Sequence, residues 1–288
     1  MRAAGLVLAG GRSSRMGVPK AALEWHGSTL LRRTCGVLQR AGLQPVLVVR
    51  APGQELPSLP ADVEVVDDPR EGLGPLQGMA VGLTALADRA DSADAAFVCS
   101  TDLPFLHSEL VRRVLRPFDH PVDGEALDVV LPVARGYPQP LTAAYRTRLA
   151  PVVAALVAAD RLRPAFIFED ATVLRLDDDA LLADPTLRAA DPTLESLVNV
   201  NERADYDAAR ARPAPEVTVE CFGVLATRSG RGPRAARAAT VGAAARAVDL
   251  VLDRHVLAAV NGDQTGRDGE LPLMAGDTVA FLSADAGG

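Results

Sequence analysis

The apolar run Gly5-Leu6-Val7-Leu8-Ala9 breaks at Gly10-Gly11 into Arg12-Ser13-Ser14-Arg15-Met16-Gly17-Val18-Pro19-Lys20. A run this short, stopped by paired glycines, reads as a buried strand entering a tight loop. Glycines let backbone N–H groups approach a ligand closely, which suits a polyphosphate. Arg12, Arg15 and Lys20 bring three cations to the same loop. Strand, glycine turn and cations together describe a nucleotide-phosphate cradle. It is neither of the two common ones. Lys20 is followed by Ala21, so the hydroxyl that a Walker loop uses to hold a metal is missing. The dinucleotide fingerprint Gly-x-Gly-x-x-Gly is absent as well.

The same kind of apolar run recurs down the chain. Pro45–Val49, Val63–Val66, Ala95–Cys99, Leu127–Leu131 and Leu141–Tyr145 read as further strands. Between them lie helical stretches: one from Thr29 to about Ala41, with Ser28 as its N-cap and Gly42 as its stop, and one from Leu76 to Arg89. Apolar strands alternating with helices predict an α/β domain, a Rossmann-like mostly parallel sheet covered on both faces. In such sheets ligands bind beyond the carboxyl ends of the strands, so the glycine loop, Asp68 and the segment after Cys99 should converge.

At 288 residues the chain exceeds one average domain. Periodicity is lost across 206–215, which ends in Pro213 and Pro215 and reads as a linker between a first domain (1–205) and a second (216–288). The second carries strand-like Val217–Phe222, a helix from Val241 to about Leu252, Val256–Val260, and a closing strand Thr278–Leu282. That makes a small α+β unit. The net charge of −7 argues against broad nucleic-acid binding. No apolar run approaches a membrane span, and no cleavable leader pattern is seen. Cys35, Cys99 and Cys221, odd in number and widely spaced, read as reduced, buried thiols of a cytoplasmic protein.

Three further segments carry candidate chemistry. Ser100-Thr101-Asp102-Leu103-Pro104 follows the fourth strand, and one carboxylate at a strand end suits Mg²⁺, which takes one or two from protein and the rest from phosphate and water. Asp68 precedes Gly72-Leu73-Gly74-Pro75-Leu76-Gln77-Gly78-Met79, where a helix start offers free N–H groups and a positive dipole end. Asn199-Val200-Asn201 puts two amides on one side of an extended segment, either to bind a ligand or simply to form a turn. His26, His107, His120 and His255 are scattered and read as surface or cap residues.

Together, Leu8-Ala9-Gly10-Gly11-Arg12-Ser13-Ser14-Arg15-Met16-Gly17-x-x-Lys20 and the Asp102-x-Pro104 element resemble the molybdenum-cofactor guanylyltransferase family over residues ~1–205. The resemblance implies GTP and molybdopterin as substrates and Mg²⁺ as cofactor. It implies that Leu8, Ala9, Gly10 and Gly11 line the nucleotide pocket, that Arg15 and Lys20 bind phosphate, and that Asp102 holds the metal. Asp68, Gly74 and Pro75 would contact the nucleotide, and Asn199 and Asn201 the pterin or phosphate. Arg50 departs from the family pattern, which has Asn there. Close relatives that transfer CMP tend to carry Leu-Ala-Ala-Gly, so Gly10 favours a purine. CMP transfer, and a non-catalytic nucleotide-binding scaffold, remain alternatives.

The chain closes on Asp285-Ala286-Gly287-Gly288. With Gly at roughly 7% of residues, a terminal pair arises by chance about once in two hundred chains. Ala275–Leu282 and the diglycine resemble the end of the ubiquitin-like β-grasp sulfur carrier of molybdopterin synthase. That resemblance is thinner across Arg228–Arg237. It implies that Gly288 is adenylated and becomes a thiocarboxylate, with an adenylating enzyme and the large synthase subunit as partners.

Overall fold

A computed structural model describes residues 1–10, 19–70, 72–119, 126–229 and 232–284. The first unit is built on strands β1 (Ala3–Leu8), β2 (Val46–Arg50), β3 (Val63–Asp67), β4 (Ala95–Ser100), β5 (Val129–Ala134), β6 (Thr142–Arg146) and β7 (Val173–Leu176). Its main helices are α1 (Leu30–Arg40), α2 (Pro75–Ala87), α3 (Ser108–Leu115), α4 (Ala150–Ala158) and α5 (Arg203–Arg210). The sheet order is β7-β5-β6-β4-β1-β2-β3, with Tyr137–Pro138 added beside β5. All of these pairings are parallel except that β6 runs antiparallel to both neighbours and Tyr137–Pro138 runs antiparallel to β5. The predicted mostly parallel α/β sheet is therefore found.

Both faces are covered. Along β1, Val7 enters one core with Leu31, Cys35 and Leu38 of α1, whereas Leu6 and Leu8 enter the other with Met79 and Leu83 of α2. A continuous apolar run is what a strand buried on both sides requires. α2 lies close to the sheet where Gly78 and Gly82 leave no side chain between its backbone and β1. A Cβ at Gly82 would stand 2.3 Å from Leu6 Cδ1, and one at Gly78 would stand 3.2 Å from Leu8 Cδ2. Leu6 is fully buried and has nowhere to move.

The second unit contains β8 (Glu216–Cys221), β9 (Arg234–Arg237), α6 (Val241–Arg246), β10 (Val256–Val260), β11 (Asp263–Thr265) and β12 (Thr278–Ser283). Its sheet order is β9-β8-β12-β10-β11. The first and last strands, β8 and β12, are parallel neighbours in the centre, and the other pairings are antiparallel. Val217, Val219, Ala244, Val279 and Phe281 share its core.

Three expectations are corrected. Ser28 does not cap α1: Thr29 does, accepting from the Arg32 amide, while the Ser28 hydroxyl donates to Glu270 Oε2 at 2.9 Å. The helix expected across 241–252 stops at Arg246, because the chain turns there and Asp249 takes a left-handed conformation (φ 59°). The segment 206–215 is not all linker. Its first half belongs to α5, whose Tyr206 and Ala209 are buried against Leu23, Trp25 and Leu30.

Gly82→Val should force Leu6 out of its rotamer and cost ~1–3 kcal/mol of stability, the range for overpacking a filled core. Urea unfolding of the two proteins measures it.

Candidate active site

The strand order reverses at β1: β2 and β3 lie on one side of it and β4 on the other. A crevice for ligands is expected at the carboxyl ends of β1 and β4. Leu8 pairs with Ser100, so Gly10 and Asp102 each lie two residues beyond the last paired position. The two most specific sequence signals are thus adjacent by register.

Asp102 is held from three directions. The Ser100 hydroxyl donates to its Oδ1, Lys20 Nζ donates to its Oδ2 at 3.1 Å, and its backbone carbonyl accepts from the Val200 amide at 2.9 Å. Lys20 starts a single 3-10 turn, Lys20–Ala22, anchored by buried Ala21. Its ammonium also reaches Asn201 Oδ1 at 3.4 Å. Lys20, Asp102 and Asn201, far apart in the chain, therefore meet, whereas Asp68, expected to converge with the segment after Cys99, hydrogen-bonds in a separate cluster. The Lys20 and Asp102 side chains keep 21% and 14% of their surface, enough for a ligand to reach both. Asn199 is exposed and Val200 buried, which matches the alternation expected of an extended segment. Asn201 also borders the start of α5, where Asp205 Oδ2 accepts from the Asn201 and Glu202 amides.

A second cluster forms at the end of β3. Asp68 Oδ1 accepts from Gln77 Nε2 at 2.8 Å and from the Arg70 amide at 2.9 Å, and Arg70 Nη2 donates to Gln77 Oε1 at 2.9 Å. Gln77, 2% exposed, is a residue that sequence reasoning missed. The signal was present: a polar side chain on the inner stripe of a helix needs a buried partner. Gly74 is the N-cap of α2 and Pro75 its first residue, so both stand at the helix start as expected. Strands are about 4.8 Å apart, so Asp68 and Asp102, three strand spacings from one another, span roughly 14 Å.

Leu8 and Ala9 could meet a ligand at the end of β1 only through their backbone, for both side chains are buried. The Ala9 carbonyl is claimed by Gln54 Nε2 at 3.0 Å, a second contact the sequence did not announce. Gly10 is exposed, and a methyl there would touch the Ala51 amide nitrogen at 3.4 Å. Arg50 is engaged by Asp67 Oδ1 at 2.6 Å and by the Gln54 carbonyl. Gly11, Arg15 and Gly288 lie outside the described residues.

Among the described residues the remaining titratable groups offer no rival centre. Cys35, Cys99 and Cys221 are free and buried, and burial pushes the Cys35 thiol up to about 12. His107 caps α3, its Nδ1 accepting from the Glu109 amide at 3.1 Å. Among the described residues no group of three or more His, Cys, Asp or Glu could hold a metal, and no helix is long and apolar enough to cross a membrane.

The profile of the MobA-like NTP transferase domain matches residues 5–173. A probable molybdenum cofactor guanylyltransferase of Mycobacterium tuberculosis is 42% identical over 176 residues, covering 60% of this chain and 82% of the relative. One from Mycobacterium ulcerans is 40% identical over 186 residues, covering 63% and 87%. Two solved structures share the fold. Molybdopterin-guanine dinucleotide biosynthesis protein A of Archaeoglobus fulgidus matches 73% of this chain and 97% of its own, with a TM-score of 0.54 at 21% identity. The 2-C-methyl-D-erythritol 4-phosphate cytidylyltransferase of Thermus thermophilus matches 73% and 98%, with a TM-score of 0.50 at 19% identity. The chain belongs to the MobA-like NTP transferase family and is a nucleotidyltransferase.

Proposed function

We propose that the first unit transfers GMP from GTP to the terminal phosphate of molybdopterin, a step of molybdenum-cofactor biosynthesis. The observation that carries this reading is the meeting of Lys20, Asp102 and Asn201 at the β1/β4 crevice, in a chain 42% identical to a probable molybdenum cofactor guanylyltransferase. The pterin phosphate, already anionic, needs no general base to attack the α-phosphorus. The α–β phosphate bond breaks and pyrophosphate leaves.

Catalysis then rests on charge placed in advance where charge builds up. Lys20 would bind phosphate oxygen, and Gly10, Gly11 and Arg15 would close the loop around the nucleotide. Asp68, Gly74 and Pro75 would hold the far end of the ligand, across the roughly 14 Å set by three strand spacings. Asn199 and Asn201 would face the pterin side. Asp102 suits Mg²⁺: it is a hard oxygen donor, partly accessible, and no second carboxylate is hydrogen-bonded or ion-paired with it among the described residues. When bound, Mg²⁺ would neutralise charge on the departing pyrophosphate.

We assign 216–288 to a β-grasp sulfur carrier acting through Gly288, with the boundary moved to 211–215, behind α5. The parallel central pair β8–β12, flanked by antiparallel strands, supports that assignment. So do Phe222, Val224 and Leu282, apolar side chains left exposed where β8 and β12 end. An adenylating enzyme and the large subunit of molybdopterin synthase are the partners it would need.

Four outcomes are expected. Asp102→Asn should keep the fold and lower turnover roughly 10²–10³-fold, the scale of a lost charge-stabilising group, as read by pyrophosphate release. With Mg²⁺, molybdopterin and equimolar GTP and CTP, mass spectrometry should find a GMP adduct. A CMP adduct would instead favour the cytidylyl reading, and binding without an adduct would favour the scaffold. In the same mixture Gly10→Ala should shift the product ratio toward CMP. Deleting Gly288 should leave this transfer intact and abolish the mass increment of thiocarboxylation in the presence of ATP, an adenylating enzyme and a sulfur donor.

A further inference from the structure

One face of α1 is covered by the segment 268–277 of the second unit, and the contact carries ion pairs at both ends of the helix. Arg32 Nη2 donates to Asp268 Oδ1 at 2.7 Å, and Arg32 Nε lies 3.3 Å from Glu270 Oε2. At the other end of the helix Arg40 forks onto Asp277, with Nη1 and Nη2 donating at 2.7 and 2.8 Å, and Nη1 also reaches the Pro272 carbonyl. Between them the chains touch at Gly36, where a Cβ would stand 2.4 Å from Pro272 Cδ. The carboxylate of Asp277 further accepts from Asn261 Nδ2 and from the Met274 amide, so the segment is braced within its own unit.

Arg33, in the middle of this face, is buried and bonded to carbonyl oxygens from both units. Its Nε donates to Pro104 at 2.7 Å, Nη2 to Leu106 at 3.4 Å and Nη1 to Leu273 at 3.5 Å. Pro104 and Leu106 belong to the turn that follows Asp102. The far side of that turn is gripped by Ser196, whose Oγ donates to the Phe105 carbonyl and accepts from the His107 amide. Burial lowers the pKa of Arg33 to about 10 and neighbouring Arg40 adds to the effect, while Asp277 opposes it. The second unit therefore supplies one of the acceptors of this guanidinium and the acid that offsets its charge.

We propose that Arg33 is a positioning residue through which docking of the second unit fixes the backbone behind Asp102. A buried cation stays buried only while it is hydrogen-bonded and balanced. Without segment 268–277, Arg33 loses the Leu273 carbonyl and Asp277 and is exposed to water along α1. Its hold on Pro104 and Leu106 then loosens, and the turn carrying Asp102 is gripped from the Ser196 side. The transferase site is thereby made sensitive to the state of a unit that contributes none of the residues assigned to it. The claim about activity rests on the assignment of Asp102 to the transferase site; the structural claim does not.

Two variants of the full chain separate docking from chemistry. Gly36→Ala wedges Pro272 away from α1, and Asp277→Asn removes the counter-charge; neither residue is in the active site. Amide hydrogen exchange read by mass spectrometry should rise in both at 268–277 and also at 103–107, by about tenfold, the scale of one lost charge-assisted hydrogen bond. Helix α4, remote from the contact, should be unchanged. Arg33→Lys keeps the charge but not the fork, and should loosen 103–107 to a similar extent. In all three, kcat should fall with little change in KM for nucleotide, because Asp102 acts on charge that develops in the transition state. Wild-type exchange at 103–107 in both docking variants would overturn the proposal, as would a rise spread evenly through α4. Loss of measurable transfer in the wild-type chain would instead bear on the assigned activity, since the exchange readout needs no turnover.

Discussion

Parallel pairing of β1 with β4, in register from Ala3–Ala95 to Leu8–Ser100, is the constraint on which the rest of the first unit depends. It puts the ends of two strands side by side at the point where strand order reverses, and it leaves both chains free to turn into loops there. A slip of one residue would point Asp102 to the other side of the sheet, since side chains alternate along a strand. The register is protected by the cores on either face, because the same slip would move Leu6, Leu8 and Phe97 out of their packing. Site geometry and hydrophobic burial thus specify one arrangement.

Electrostatic contacts set the second level of organisation. Lys20 and Asp102 hold one another at 3.1 Å while both side chains remain accessible. Along α1 the charges serve cohesion. Arg32, Arg33 and Arg40 would make a basic stripe on an isolated domain, and Asp268, Glu270 and Asp277 cover it. The Arg40–Asp277 pair is the more protected: burial works against the carboxylate, yet its hydrogen bonds to Arg40 keep its pKa below the usual value. Charge is retained there because both partners are satisfied.

Most of the strands were legible because continuous apolar runs bounded by Gly, Pro or Asp have few other uses. The placing of Gly10 and Asp102 at neighbouring strand ends was legible for a related reason: each follows directly on such a run. What the sequence concealed was non-local. Ser28 and Thr29 are equivalent as caps until Glu270, far along the chain, takes the first hydroxyl. The Tyr206–Ala209 stripe of α5 was hidden by the prolines just after it, whose composition suggested a linker. Gln54 and Arg33 look like ordinary surface residues in sequence. Each is buried or partly buried because its partner comes from another element, and no spacing rule reaches that far.

The central place of β12 has a mechanical consequence. It is hydrogen-bonded on both sides, parallel to β8 and antiparallel to β10, so a pull transmitted through the residues after Ser283 loads both ladders together. Because β8 and β12 run the same way, tension between the start of one and the end of the other acts in shear along the whole ladder and cannot open it one bond at a time. Load applied at Ser283 is therefore shared by the two ladders, and the sheet resists it as a unit.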